Sequence, residues 1–285
     1  MSYYKVLGLT EEPFSTSPDP DFFYLSREHR AALTRLRIAL SLRRGLSVIL
    51  GDVGTGKTTL SRKLAQVLRD DPNTSFHMIL NPYFRSQKQF LTRLVALFRL
   101  DEARGRRSAL DCIEAVEQFL YRVGVEEQRV VVLLVDEAQL LPDYVLEILR
   151  ILLNYETNEF KILQLILVGQ MELLPRLSRI RNVWDRIALK FVIHPLDVEQ
   201  TREMIGFRLS QAGHKGPALF SEEAIRLIHQ YTRGYPRQLA LFCHNCLEAL
   251  VMHGKRLVDA ELVQELMRMD VKPVAVEAGG APHVF

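Results

Sequence analysis

The stretch GDVGTGKTT, residues 51–59, decides the fold of this chain. It fits the pattern G-x-x-x-x-G-K-[ST], in which glycines allow backbone N–H groups to curl around phosphates at a helix N-terminus. The apolar run before it, residues 47–51, is typical of a buried strand, and residues 58–68 have helical spacing. Strand, loop and helix therefore follow in the order that a phosphate-binding loop requires.

The loop predicts a site for ATP and Mg²⁺. Its nine predicted cofactor-binding residues are Gly51, Asp52, Val53, Gly54, Thr55, Gly56, Lys57, Thr58 and Thr59. Lys57 is expected to reach the β- and γ-phosphates, and the Thr58 hydroxyl is expected to bind Mg²⁺. A glycine-rich turn without a ligand is the alternative, and the strand, loop and helix context argues against it.

The stretch VVVLLVDEAQ, residues 130–139, predicts the second half of the site. Its apolar residues suit a buried strand that ends at two acids. Asp136 is positioned to hold the Mg²⁺ shell, and Glu137 to polarise a water for attack on the γ-phosphate. A solvated turn is the alternative for an isolated Asp-Glu pair. Because the chain has a candidate water activator, hydrolysis is favoured over transfer of phosphate by a P-loop kinase.

Further apolar runs at 75–81, 130–136, 162–169 and 188–194 alternate with helical stretches. Together with the run before the loop they predict an α/β P-loop fold, a parallel five-stranded sheet flanked by helices. After residue 195 the spacing is helical throughout. The predicted domains are an N-terminal aromatic strap and helix within the core (1–45), an α/β nucleotide-binding domain (46–195), a small all-helical C-terminal lid domain (196–268) and a disordered tail (269–285).

Composition and charge favour a cytoplasmic protein. The 285 residues are 48% hydrophobic, and no apolar run approaches the ~20 residues of a membrane span. The N-terminus lacks the pattern of a secretory signal, and three cysteines do not suggest a disulfide framework. The net charge of +3 does not by itself indicate a nucleic-acid partner. Arginines nevertheless cluster at 27–44, 104–107 and 176–186, so DNA stays open as a partner.

The glycine loop and the DEAQ stretch resemble those of the AAA+ ATPases, and the resemblance implies catalytic roles for two polar residues after strands. Asn81, after the second strand, stands where many relatives hold the catalytic glutamate inactive until a partner binds. Gln170, after the fourth strand, stands at the sensor 1 position, where Asn, Thr or Ser is more usual. The alternatives are a strand cap for Asn81 and a loop hydrogen bond for Gln170.

The same resemblance implies roles for two arginines. Arg186, just before the fifth strand, stands at the usual place of an arginine finger supplied to a neighbouring subunit's ATP, with Arg179 and Arg181 as competitors. Arg237 lies in GYPR, which resembles the sensor 2 signature at a helix start facing the phosphates. A surface salt bridge is the alternative for Arg186, and capping of carbonyls or pairing with an acid for Arg237.

The opening, residues 3–36, resembles the general secretion pathway protein A group, with its ExeA-type and MSHA pilus biogenesis ATPases. This resemblance implies a homo-oligomer, a ring or spiral such as a hexamer, that assembles with nucleotide. It implies protein partners in a secretion, type IV pilus or exopolysaccharide-type envelope machine, and attachment to the inner membrane through those partners. The related transposition ATPases of the TnsC, TniB and MuB kind bind DNA, so an ATP-dependent DNA-binding regulator is the alternative function.

Two other features of the sequence are candidate sites. Cys243 and Cys246 have C-x-x-C spacing but lie in an apolar, helical stretch without a second pair of ligands, which favours core packing over zinc. The second candidate is the aromatic strap with Tyr24 and His29. These side chains either form one side of the adenine pocket or simply pack on the sheet.

Overall fold

The computed structural model describes residues 2–15, 21–100, 108–180 and 183–269. The predicted disordered tail lies outside these residues except for Met269, as do Arg181 and the arginines at 104–107. The described residues form two compact units. The sheet unit contains residues 21–196 and 235–237, and the helical unit contains residues 2–15, 197–234 and 238–269.

Helices and strands alternate through the sheet unit and give way to helices alone. In chain order the α-helices are α1 (Tyr3–Val6), α2 (Arg27–Ser41), α3 (Lys57–Arg69), α4 (Gln87–Leu97), α5 (Ala109–Tyr121), α6 (Asp143–Leu152), α7 (Leu173–Arg179), α8 (Val198–Gln211), α9 (Glu222–Thr232), α10 (Pro236–Met252) and α11 (Ala260–Met269). The strands are β1 (Leu46–Gly51), β2 (Thr74–Ile79), β3 (Val130–Val135), β4 (Leu163–Gly169) and β5 (Ile187–Ile193). Short 3-10 helices span Ala138–Leu140 and Trp184–Arg186, and a π-helical turn spans Arg122–Glu126.

The five strands form one parallel sheet in the order β2-β3-β4-β1-β5, which confirms the predicted fold class. The register pairs Leu50 with Gly169, Val135 with Leu167, and Ile79 with Val135. The carboxyl ends of these strands therefore meet at one edge of the sheet, hereafter the carboxyl edge. Strand β5 begins opposite Leu46, at the other edge.

The sheet is covered by apolar side chains on both faces, because alternate residues of a strand point to opposite sides. On one face, Leu133 and its neighbours pack with α4, α5 and α6; on the other, Leu134 and its neighbours pack with α2 and α3. Residues of β1, β3 and β4 are almost completely buried, whereas β2 and β5 at the sides are only partly buried. Burying one such aliphatic side chain stabilises the fold by about 1.5–3 kcal/mol.

The first residues of the chain belong to the helical unit, which differs from the predicted boundary at residue 45. The Thr10 N–H donates to the Ala212 carbonyl over 2.9 Å. The buried Phe14 ring meets the Phe220 ring edge-on, and the Tyr3 hydroxyl lies 3.0 Å from His244 Nδ1. These contacts join residues 2–15 to the helical unit, whereas the rest of the predicted strap, from residue 21 on, belongs to the sheet unit.

The helical unit buries Cys243 and Cys246 completely on α10. Burial raises the pKa of the Cys243 thiol and that of Cys246, the latter to about 12. Within the described residues, no group of three or more His, Cys, Asp and Glu side chains is placed to hold a metal ion. The two thiols pack as small apolar groups.

Among the described residues, no helix combines the length and apolar character that crossing a membrane requires.

Candidate nucleotide-binding site

Three glycines give the loop between β1 and α3 its shape. Gly54 and Gly56 have φ angles of 85° and 92°, in the left-handed region that side chains disfavour. Gly51 is required for space, because a Cβ there would lie 2.8 Å from the Ile193 carbonyl oxygen and from Thr55 Oγ1. The loop leads directly into α3. The helix N-terminus carries a partial positive charge, which favours binding of an anion.

The Asp52 carbonyl oxygen organises the interior of the loop. It accepts hydrogen bonds from the Thr55 hydroxyl at 2.9 Å and from Lys57 Nζ at 2.8 Å. Lys57 is buried, and burial lowers the pKa of its ammonium group, while the negative charges of Glu137, Asp136 and Asp52 oppose that shift. A buried ammonium among carboxylates is suited to receive phosphate oxygens.

Asp136 follows the last residue of β3 and is almost completely buried. Burial raises the pKa of its carboxyl, and hydrogen bonds from the Glu137 N–H and the Thr58 hydroxyl act against that rise. The N–H contact to Asp136 Oδ1 is 3.0 Å. A carboxylate and a hydroxyl side by side are hard oxygen ligands of the kind Mg²⁺ prefers when phosphates complete its shell. These residues therefore fit the predicted ion.

Glu137 occupies a strained turn at the carboxyl edge. Its φ and ψ angles of 51° and 38° are left-handed, which is uncommon for a residue with a side chain. The turn brings Gln139 back beside it, and Gln139 Nε2 donates to Glu137 Oε2 over 2.5 Å. Gln139 Oε1 accepts from the Gln170 N–H at 3.1 Å. The end of β4 is thereby linked to the predicted water activator.

The segment 235–237 contacts the glycine loop within the sheet unit. The Tyr235 hydroxyl donates to Asp52 Oδ2 over 2.8 Å, and the Arg237 N–H donates to the Gly54 carbonyl over 3.3 Å. The Arg237 side chain is exposed. Pro236 and Arg237 are the first two residues of α10.

Arg186 lies at the opposite edge of the sheet, just before β5. Its Nη1 donates to the Arg150 carbonyl over 3.4 Å, in the last turn of α6, and to Asn154 Oδ1, two residues beyond that helix. Its competitor Arg179 is exposed at the end of α7, and Arg181 lies outside the described residues. Since β1 runs between Arg186 and the glycine loop, Arg186 is remote from the loop of its own chain.

Comparison with known proteins agrees with this geometry. A family model described as an AAA domain matches residues 41–177. General secretion pathway protein A of Aeromonas hydrophila is 34% identical over 282 residues, which cover 98% of this chain and 49% of that protein. Residues 41–177 of this chain therefore form an AAA domain. The chain spans about half the length of that curated relative.

Solved structures show the same AAA+ fold. Cdc6p from Pyrobaculum aerophilum superposes with a TM-score of 0.65 at 20% identity, over 88% of this chain and 68% of that one. The Aeropyrum pernix ORC2 protein gives 0.63 at 16% identity, over 92% of this chain and 72% of that one. The RuvB Holliday junction branch migration motor from Thermotoga maritima gives 0.53 at 18%, over 84% and 68%. These neighbours show that the described residues have the AAA+ fold.

The AAA+ site brings together some of the predicted residues and not others. Lys57, Thr58, Asp136 and Glu137 gather at the carboxyl edge. Asn81 is exposed two residues beyond β2, and its side chain forms no hydrogen bond with the described part of the chain. Of the other loop residues, Gly51 ends β1, residues 52–56 lie between β1 and α3, and Thr59 lies in the first turn of α3.

Sequence reasoning overlooked two residues that shape this site, Tyr235 and Gln139, and it did not pair the predicted loop residue Asp52 with Tyr235. The signals were present, since Asp52 lies within the loop motif, Tyr235 within GYPR and Gln139 at the end of DEAQ. Motif positions, however, do not show which side chains touch.

His29 supports the loop from behind. It is buried in the first turn of α2, and Ser26 is the N-cap of that helix. The Ser26 N–H donates to His29 Nδ1 over 3.3 Å. His29 Nε2 donates to the Thr55 carbonyl at 3.0 Å. The Phe23 ring meets the imidazole edge-on, and a Cβ on Gly56 would lie 3.2 Å from that ring. Burial lowers the pKa of His29 to about 4.

We expect the protein to become less stable as the pH falls from 6.5 towards 4. The unfolded chain protonates His29 at its ordinary pKa of 6.5 and the folded chain at about 4. The unfolded state therefore binds more protons in this window, so the free energy of unfolding rises with pH, by up to about 3 kcal/mol for this group. Burial also lowers the pKa of His77 to about 4, so this group adds to the rise of the free energy of unfolding with pH.

Denaturant unfolding of the wild type and His29→Gln between pH 4.5 and 7 measures this contribution. Glutamine cannot titrate, so the variant should lose less stability on acidification than the wild type does. His253→Gln, the same substitution at an exposed histidine, is the control. Equal slopes for the wild type and His29→Gln would contradict the assignment.

Proposed function

We propose that the chain binds MgATP on residues 51–59 and hydrolyses it between subunits, and that this cycle drives assembly or remodelling of a secretion or pilus-type envelope machine. One observation carries the chemical part of the proposal. A buried lysine, a hydroxyl beside a buried carboxylate, and a glutamate in a strained turn gather at the carboxyl edge of the sheet.

In this reaction Lys57 and the loop hold the phosphates, and Thr58 and Asp136 hold the ion. Bound Mg²⁺ supplies neutralisation of the phosphate charge. Glu137 accepts a proton from a water, whose oxygen forms a bond to the γ-phosphorus. The bond between that phosphorus and the β,γ-bridging oxygen breaks, and the electron pair leaves with ADP. Water is the acceptor, so the products are ADP and inorganic phosphate.

The proposed oligomer follows from the place of Arg186. This arginine lies at the edge of the sheet away from its own glycine loop, so it serves only an ATP held by another subunit. Gln170 contacts the γ-phosphate from the end of β4. Asn81 makes no hydrogen bond within the described residues, so its side chain has to move before it restrains Glu137. Arg237, at the start of α10, contacts the phosphates of the nucleotide, a role supported by the contact of its N–H with the Gly54 carbonyl. Nucleotide-dependent rings or spirals are the expected assemblies.

The biological setting is supported by the similarity to general secretion pathway protein A along 98% of this chain. We propose protein components of an envelope machine as partners, and a cytoplasmic site of action at the inner membrane through those partners.

A DNA-binding regulator is the second candidate, and the exposed face of α2 favours it. Arg27, Arg30, Arg35 and Arg37 are all exposed on that helix. This function predicts ATP-dependent binding of duplex DNA that weakens steeply with salt. A fluorescence anisotropy titration at low salt, with and without ATP, tests it, and the absence of binding under both conditions would eliminate this candidate.

The trans role of Arg186 predicts complementation between two inactive variants. Arg186→Ala should bind ATP normally but hydrolyse it at least about 100-fold more slowly, since arginine fingers contribute factors of this order or more. Glu137→Gln subunits retain Arg186 and should complete the site of Arg186→Ala subunits. Mixtures of the two should therefore hydrolyse ATP faster than either alone, as measured by phosphate release.

Asn154→Ala is the matched control, because Asn154 is the side chain that Arg186 contacts in its own chain. If Arg186 only anchors α6, Asn154→Ala should reproduce the loss of activity and mixing should restore nothing. That pair of results would refute the trans role. Light scattering with a slowly hydrolysed ATP analogue should show a mass increase for the wild type.

A further inference from the structure

Gln139 bridges the proposed water activator and the end of β4. Its Nε2 donates to Glu137 Oε2 over 2.5 Å, and its Oε1 accepts from the Gln170 N–H over 3.1 Å. Its own carbonyl accepts from Arg176 Nη1 at 2.6 Å, which holds the backbone of the turn. One side chain therefore contacts two residues of the proposed site.

The direction of both hydrogen bonds follows from the chemistry of the partners. A backbone N–H can only donate, so the Gln170 N–H requires the oxygen of the Gln139 amide. The planar amide then presents its N–H group to the opposite side, towards the Glu137 carboxylate, which can only accept when ionised. The reversed amide would set donor against donor and acceptor against acceptor.

The surrounding backbone fits this bridge closely. The Leu140 N–H donates to the Glu137 carbonyl over 2.9 Å and closes the turn that carries Gln139. Gly169, the last residue of β4, leaves room for the amide, because a Cβ there would lie 3.0 Å from Gln139 Oε1 and 3.3 Å from the Gln139 nitrogen. Both ends of the bridge are therefore held by neighbouring strands.

We propose that Gln139 is the positioning residue for Glu137 and couples it to the γ-phosphate side of the site at Gln170. This inference rests on the proposed function, in which Glu137 activates water. With Oε2 held by Gln139, the other carboxylate oxygen remains for the water. Asn81, expected to contact Glu137 by resemblance, makes no hydrogen bond within the described residues, so the contact on the glutamate comes from its own turn.

Two substitutions separate the two ends of the bridge. Gln139→Glu keeps an oxygen for the Gln170 N–H but offers no donor to Glu137, whereas Gln139→Met offers neither at similar size. Both variants should lower kcat by about tenfold or more, the order expected when a hydrogen bond to a charged group is lost. The KM for MgATP and the thermal unfolding midpoint of Gln139→Met should stay near the wild-type values, because the Gln139 amide positions the Glu137 carboxylate and does not hold the nucleotide.

Gln118→Met on the exposed surface of α5 is the matched control and should keep full activity. A second test repeats Gln139→Met in the Glu137→Gln background, where the residual rate of ATP hydrolysis should not fall further. Wild-type kcat in Gln139→Glu, or an undiminished effect of Gln139→Met in that background, would overturn the proposal. Full activity of Glu137→Gln alone would instead remove the water activator, and thus the proposed function itself.

Discussion

Lys57→Ala is expected to abolish ATP binding at concentrations where the wild type is saturated. The ammonium group is buried at the start of α3 and lies near the carboxylates of Asp136 and Glu137. Without it, the phosphates meet these two acids with no compensating charge. Loss of charge-assisted hydrogen bonds of this kind costs about 3 kcal/mol, which lowers affinity about 100-fold. Titration with a fluorescent ATP analogue, followed by calorimetry, measures the change.

Lys63→Ala is the control for this variant, since Lys63 lies on the same helix and its Nζ donates to Gln66 Oε1 over 3.5 Å. It should bind ATP as the wild type does. Circular dichroism should show both variants folded, because Lys57 contributes a buried charge rather than apolar packing. ATP affinity of Lys57→Ala within twofold of the wild type would show that the phosphates lie elsewhere.

Glu137→Gln is expected to bind ATP and to stall before hydrolysis. Glutamine preserves the size of the side chain and can still accept a hydrogen bond from Gln139, but it cannot take a proton from water. Removing a general base lowers the rate by about 100- to 10,000-fold. Single-turnover phosphate release gives the chemical rate, and filter binding of ATP shows that the site still fills.

Glu147→Gln provides the matched control, because that glutamate is bonded to Arg150 on α6 and lies outside the proposed site. It should hydrolyse ATP normally. A wild-type rate for Glu137→Gln would mean that another group activates the water. Impaired ATP binding by the same variant would instead assign Glu137 to the phosphate site.

The fold could be predicted from the sequence because the patterns that indicate its strands and helices are local. Each apolar run of the sheet unit became a strand within one or two residues of its predicted bounds, since continuous burial leaves few alternatives for such runs. The cap of α2 by Ser26 depends on residues of the first turn alone and is local in the same sense. The N-terminal boundary was less accessible, because residues 2–15 carry no regular pattern and find their partners about 200 positions away.

Contacts between side chains of different strands could not be predicted from the sequence in the same way. Gln139 contacts Gln170 because β3 and β4 are adjacent in the sheet, although 31 residues separate the two in sequence. Tyr235 contacts Asp52 across 183 residues. Periodicity predicts which face of an element is buried but contains no information on which element lies beside it.

By itself, the sequence determined a glycine loop between a strand and a helix, a second strand that ends in two acids, and the order of strands and helices along the chain. These features depend on backbone freedom at glycine and on the burial of short apolar runs, both of which act over a few residues. Only the tertiary structure decided that Gln139 touches Glu137, that Arg186 lies away from its own loop, and that His29 supports Thr55. Those contacts depend on strand order and packing, which bring distant parts of the chain to one place.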